Sequence, residues 1–214
     1  PFTGEYLLNE VMRYIDRIKN VDLNQIVTYI IEMKKEKLLV YPAAMKNHHS
    51  IRSGLLYHVV RMLYAGDKLS EIYNFVNKDL LFAGIILHDL AKIEEYDANE
   101  LGIVSDYTEE GQLLGHIIQG ITMIDNVSNY LGIDSEISLL LKHMLLTHHY
   151  EPEYGSPKKP MIPEAELLHY VDMIDARMYD FEKALNKTDL SGFSEKVWTL
   201  DNRKLYKSKL SKEV

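Results

Sequence analysis

The residues best suited to chemistry begin with His88-Asp89, which ends the apolar run Ile85-Ile86-Leu87. Burying an imidazole and a carboxylate together is costly unless they are paired or bind metal. Taken alone, such a pair is more often a satisfied core histidine beside an aspartate turned outward. Two other residues change that balance. His58 falls on the preceding helix, in Gly54-Leu55-Leu56-Tyr57-His58, on what should be its buried face. Asp172 falls on a late helix, in Leu167-Leu168-His169-Tyr170-Val171-Asp172, with Asp175 as its rival on nearly the same face. Two neutral imidazoles and two carboxylates suit a divalent ion such as Mn, Fe, Zn or Mg. Drawing ligands from three helices is how a bundle builds a metal site in its core. The chain has no cysteine, which excludes disulfides, thiolate sites and cysteine nucleophiles.

The elements that must carry these residues read as helices. Tyr6, Leu7, Val11, Tyr14, Ile15 and Ile18 recur at helical spacing. A second helix is predicted from Leu23 to about Lys37, and a third from Ser53, its N-cap, to about Tyr73. A fourth follows Asn77 and runs to about Glu94. Turn signals at Asp97-Ala98-Asn99 and Leu101-Gly102 flank Ile103-Val104-Ser105, which reads as a short strand. A long helix opens at Thr108 and closes at Gly132, and Asp134 caps the next, which runs to about His148. The stretch from Glu151 to Pro163 holds four prolines and a Gly-Ser, and is a loop long enough to suggest function. Pro163 starts a helix to about Asn186, and Lys204 to Val214 is expected to be a peripheral helix or frayed. The fold class is therefore all-α, a helical bundle with a small hairpin or irregular excursion near 96–107.

At 214 residues the chain suits one domain with appendages, and its 46% hydrophobic and 26% charged content is ordinary for a globular protein. No apolar run approaches the length of a membrane-spanning helix, so no membrane association is expected. Pro1 to Glu10 shows no signal-peptide pattern, and the start at Pro is that of a fragment. Lack of cysteine fits a reducing compartment, and a cytoplasmic location is expected. The net charge of −8 does not attract nucleic acid by bulk electrostatics. An acidic bundle with an N-terminal helical extension is compatible with a homo-oligomer.

His58, then His88-Asp89, then Asp172, in that order and on helices, resembles the HD superfamily of metal-dependent phosphohydrolases. The resemblance selects Asp172 over Asp175, because the family's last aspartate usually precedes such an Asp-Ala step by three residues. Lys92 stands where many members carry a basic residue, on the same helical face as His88 and Asp89. It implies a contact to substrate phosphate, so Asp89 and Lys92 are the expected catalytic pair. Members with two metals would place His116, His148 and His149 around the second ion, with Asp89 bridging. In such members the metal pair positions a phosphate and activates water for in-line attack. Two divalent ions are expected, Mn first, with Fe, Zn, Co or Mg as alternatives. His143 reads as packing or surface, His169 as a support for the ligands, and Arg177 as a structural partner of Asp175.

A narrower resemblance rests on Asn47-His48-His49, the spacing to His58, the stretch His148-His149 to Pro157, and Glu164 to Arg177. It is to the YhaM family of 3′-5′ exoribonucleases and covers about Tyr41 to Leu185. It implies an RNA or single-stranded oligonucleotide 3′ end as substrate, with His48, His49 and Arg52 lining the cleft. Such proteins carry an N-terminal OB-fold, whose strands are not visible here, so weak polynucleotide binding is expected of this chain. The expected division is a helical extension over 1–41, an HD domain over 42–186 and a peripheral segment over 187–214. Three other functions compete. One is hydrolysis of small nucleotides, and another is a nucleotide- or nucleic-acid-binding module without turnover. The third, cleavage of cyclic dinucleotides, is disfavoured because Glu153-Tyr154-Gly155-Ser156-Pro157 departs from the Gly-Tyr-Pro signature of those proteins.

Overall fold

The computed structural model describes residues 2–43, 52–99, 101 and 103–211. It divides into two compact units, Pro1–Asp172 and Met173–Val214. The first holds α1 (Gly4–Ile15), α2 (Val21–Leu38), α3 (Gly54–Ile72), α4 (Lys78–Leu87), α5 (Lys92–Glu95), β1 (Tyr96–Ala98), β2 (Val104–Tyr107), α6 (Glu109–Leu131) and α7 (Ser135–Thr147). The last helix, α8 (Pro163–Leu185), starts in the first unit and ends in the second. Among the described residues no helix is long and apolar enough to cross a membrane.

The organising element is α4. Every residue from Leu80 to Leu87 is buried, the mark of a helix surrounded on all sides. It packs against α1, α2, α3 and α7. Val11 of α1, Ile30 of α2, Leu63 of α3 and Leu145 of α7 share one continuous core with Leu81 and Ile85. The two N-terminal helices thus contribute to the same core that encloses the ligand-bearing helices. Because α4 is central, whatever follows Leu87 is delivered into the interior rather than to the surface.

The chain's local signals place the helix ends. The side chain of Asn77 accepts the Leu80 N–H, that of Thr108 the Gly111 N–H, and that of Asp134 the N–H groups of Glu136 and Ile137. Gly132 closes α6 at φ 69°, a left-handed conformation that glycine adopts without steric cost. Ser53 departs from expectation. It precedes α3 at φ 60° and makes no side-chain cap, because its hydroxyl donates to the Leu39 carbonyl.

Three segments differ from the helical pattern. The fourth helix stops at Leu87 rather than continuing to Glu94. There the ladder tightens, with Leu90 N–H to Leu87 O and Lys92 N–H to Asp89 O, before the short α5. The long sixth helix is kinked at Gly115, whose φ 73° and ψ 162° are not helical. In the second unit, Lys204 to Ser211 forms no helix. It pairs instead with the strand-like stretch before it, through Phe193↔Tyr206 and Val197↔Arg203 bridges, and Arg177 meets Asp201 at 2.8 Å. Its polar, weakly periodic sequence gives no apolar face for a helix to bury. The expected excursion near 96–107 is an antiparallel hairpin, pairing Tyr96 with Tyr107 and Asp97 with Asp106, with a bulge between Asp97 and Ala98.

The close contact between α5 and α6 gives a test. A Cβ on Gly111 would lie 2.3 Å from the Glu95 carbonyl oxygen and 2.7 Å from its Cα. Backbone cannot yield as a side-chain tip can. Gly111→Ala is expected to lower unfolding free energy in urea by about 1–3 kcal/mol.

Candidate metal centre

The centre is assembled where the buried end of α4 meets α3, α6, α7 and α8. His88 and Asp89 leave the end of α4, and His58, His148 and Asp172 come from α3, the end of α7 and α8. His116 follows the Gly115 kink in α6. His58, His88 and His148 are fully buried and Asp89 nearly so. The ligand atoms fall into two groups, each with its atoms mutually within 4.8 Å: His58, His88 and Asp172, and Asp89, His116, His148 and His149.

Asp89 joins the groups. Its Oδ2 lies 3.4 Å from His88 Nε2, while its Oδ1 lies 3.3 Å from His116 Nε2 and 3.4 Å from His148 Nε2. On the far side of the first group, His58 Nε2 is 3.2 Å from Asp172 Oδ1. His116, His149 and Asp172 are only partly buried, so each group keeps one solvent-facing edge.

The hydrogen-bond inventory tests whether these residues suit a metal. The Nδ1 atoms of His88 and His148 sit 2.7 Å from the carbonyls of Ile85 and Leu145. A carbonyl only accepts, so each Nδ1 carries the proton, and a neutral ring then presents a lone pair at Nε2. The Nε2 atoms of His88, His116 and His148, together with Asp89 Oδ1, are buried without a hydrogen bond of good geometry. Lone pairs facing carboxylate oxygens inside a protein are unfavourable unless a proton or a cation is shared among them. The donor set, imidazole and carboxylate in excess of what the protein can satisfy, fits divalent cations.

Electrostatics keep the donors in ligand form. Burial opposes the charge on Asp89, but the Lys92 ammonium beside it outweighs this and holds its carboxyl well below the usual range. For Asp172, burial is likewise outweighed, first by the hydrogen bond with His58, and the carboxyl is again lowered. Burial pushes His148 down, against the attraction of Asp89. Burial and the neighbouring His148 pull His149 down to about 3. His116 goes the other way: burial disfavours its charge, but the Asp89 and Glu95 carboxylates outweigh it and raise it.

Lys92 occupies an unexpected position. Its ammonium is buried and sits 2.8 Å from Asp89 Oδ2. Burial works against that charge, and Asp89 overcomes it. Lys92 is therefore the charge partner of the Asp89 carboxylate. His169 supports the site as expected, with Nδ1 2.8 Å from the His148 carbonyl and its ring 4.5 Å from that of Tyr150. His143 anchors the proline-rich loop by accepting the Met161 N–H. Asp175 lies in the second unit and belongs to neither ligand group. Arg177 meets Asp201 at 2.8 Å. Arg52 is exposed just before α3, and His48 and His49 lie outside the described residues.

Two further contributors position the ligands: the proline-rich loop, which the sequence marks as long enough to suggest function, and Glu95, which has no sequence signal of its own. The loop after α7 fixes His149, whose Nδ1 contacts the Tyr154 carbonyl at 2.5 Å and whose N–H donates to the buried Ser156 hydroxyl at 3.0 Å. Glu95 accepts from both the backbone N–H and the ring Nδ1 of His116. A carboxylate one turn beyond Lys92 reads as a solvated face until the kink in α6 brings His116 to it.

Asp89→Ala is expected to abolish binding at both groups while leaving far-ultraviolet helix content intact. His149→Ala should weaken the second group more than the first. Titration calorimetry reads both, and unchanged stoichiometry in His149→Ala would favour a single site. A pH dependence also follows. Loading the second group must displace the proton held by His116, so its affinity should fall as pH drops through the raised His116 value. The metal-free fold shows the opposite trend. Stabilisation from the raised His116 is fully present below its unfolded pKa and is lost as pH rises through the folded value. Metal-induced stabilisation, read as a thermal shift, should therefore grow with pH, reaching about 2.7 kcal/mol at a hundredfold excess over Kd.

Comparison with known proteins agrees with this geometry. Residues 55–177 match the family model described as HD domain. The chain is 42% identical over 207 residues to the 3′-5′ exoribonuclease YhaM of Bacillus licheniformis, covering 97% of this chain and 65% of that protein. It is 40% identical over 207 residues to the protein of the same name in Bacillus subtilis, covering 97% and 65%. With that of Oceanobacillus iheyensis it shares 45% over 208 residues, covering 97% and 64%. The chain thus spans a little under two thirds of the length of these relatives. No solved structure matches it. The matched segment contains the whole ligand set, from His58 to Asp172, and the chain belongs to the HD domain family.

Proposed function

We propose that this chain is a metal-dependent phosphodiester hydrolase that removes nucleotides from the 3′ end of single-stranded RNA, using two divalent ions, Mn foremost. The observation that carries the reading is the bridging position of Asp89. One carboxylate oxygen faces the His88 side and the other faces His116 and His148. The similarity to 3′-5′ exoribonucleases supports the choice of substrate.

The first ion would be held by His58, His88, Asp89 and Asp172, and the second by Asp89, His116, His148 and His149. Bound there, such ions supply Lewis acidity toward a phosphoryl oxygen and make water nucleophilic at neutral pH. The protein's share is positioning. Lys92 keeps Asp89 ionised and directed at both groups. His148 and His149 stay neutral at physiological pH and so remain ligands. His116, His149 and Asp172 are partly exposed, and a phosphate would approach the centre from that side. Arg52, His48 and His49 are proposed to meet the substrate outside the ligand groups. A cytoplasmic setting suits RNA as substrate.

The net charge of −8 favours a second reading, hydrolysis of short or single nucleotides by the same centre. With so acidic a charge balance, long strands gain little from counterion release. The deciding experiment incubates the purified chain and Mn²⁺ with RNA labelled at its 5′ end. A ladder shortening from the 3′ end supports the exonuclease. Hydrolysis of nucleotides alone moves the assignment to the second reading. Bound metal without turnover on either substrate leaves a binding module.

A further inference from the structure

We infer that Glu95 is a positioning residue for the second ligand group, acting through His116 alone. The inference rests on the two-group reading above and adds a residue to it. Three observations converge on it. Glu95 is buried although it carries a charge, with 7% of its surface exposed. Its Oε1 lies 3.1 Å from the His116 backbone nitrogen, and its Oε2 lies 3.1 Å from His116 Nδ1. One carboxylate thus holds both donors of a single histidine. Third, α6 is shaped to allow this. Gly115 turns the chain at φ 73°, and a Cβ placed there would stand 3.7 Å from Glu95 Oε1. On the other side, Gly111 lies against the Glu95 backbone, and Thr108 N–H donates to the Glu95 carbonyl at 2.9 Å.

The chemical consequence concerns the tautomer. An ionised carboxylate only accepts hydrogen bonds, so neutral His116 must keep its proton on Nδ1. The lone pair then sits on Nε2, the atom 3.3 Å from Asp89 Oδ1. A carboxylate behind a ligand imidazole also raises its basicity and fixes its ring plane. Three other histidines of the centre use neutral carbonyls for this purpose: Ile85 for His88, Leu145 for His148 and Tyr154 for His149. The carboxylate makes His116 a stronger electron donor than those three. It also lies on the kinked helix, where the ladder gives the least help in fixing it.

The test is Glu95→Gln in the whole chain. Glutamine keeps the size and one acceptor, but its NH₂ offers a donor to Nδ1 and so favours a proton on Nε2. Calorimetric titration with Mn²⁺ should show the second class of sites weakened about 10–100-fold, with the first unchanged. In a His116→Ala background the same substitution should cost nothing further, because its partner is gone. Equal weakening of both classes, an unchanged second class, or an additive loss in the His116→Ala background would overturn the inference. Nitrogen-15 spectra of the histidine rings, taken on the metal-free chain at alkaline pH, provide a readout independent of metal. Wild type should carry the His116 proton on Nδ1 and the Gln variant should shift it toward Nε2. The same tautomer in both would defeat the role of Glu95. If wild type binds a single class of ions, the two-group reading fails, and these spectra alone decide whether Glu95 positions His116.

Discussion

A carboxylate buried at the end of a fully buried helix is expensive, and the arrangement around Asp89 follows from meeting that cost. Helix α4 has no polar face, so the residue after His88 enters the interior whatever its chemistry. An uncompensated ion there would cost several kcal/mol. Lys92 supplies a charge partner at 2.8 Å, and three histidines surround the carboxylate at 3.3–3.4 Å. The lysine stabilises one oxygen, Oδ2. The other is left facing imidazole lone pairs, an arrangement with an excess of donors to metal. Charge balance and the convergence of the two ligand groups thus meet at one residue.

The rest of the bundle supports this arrangement from behind. The ligand histidines are held through Nδ1, which sets the direction of Nε2. Main-chain carbonyls perform this for His88, His148 and His149, so the helix ends and the proline-rich loop are parts of the centre. Two glycines of the region with left-handed backbone have the same explanation. Gly115 and Gly155 hold positive φ beside His116 and after Tyr154. They bend the chain where regular structure would carry a ligand past the site.

Much was legible in the sequence, and for identifiable reasons. Helical periodicity and capping residues such as Asn77, Thr108 and Asp134 are local, so they can be read without a fold. The candidate ligands were proposed partly from residue type, since a chain without cysteine must use histidine and carboxylate, and partly from the family resemblance. The tightened turn after Leu87, the kink in α6 and the non-helical stretch after Lys204 were not legible. Each depends on a partner distant in sequence or on a competing backbone pairing that outweighs local propensity.

By itself the sequence determined that this is a helical protein with histidines and aspartates at the ends of apolar helices. Its resemblance to the HD family suggested which of them to group together. Only the tertiary structure decided how Asp89 is shared between groups, why Lys92 faces inward rather than toward solvent, and that Glu95 meets His116. The physical reason is that periodicity specifies which face of a helix is buried, while the identity of the atoms facing it is a property of packing. A carboxylate and a lysine three residues apart read the same way whether they solvate a surface or balance a buried charge. Burial distinguishes the two, and burial is set by the neighbours of α4.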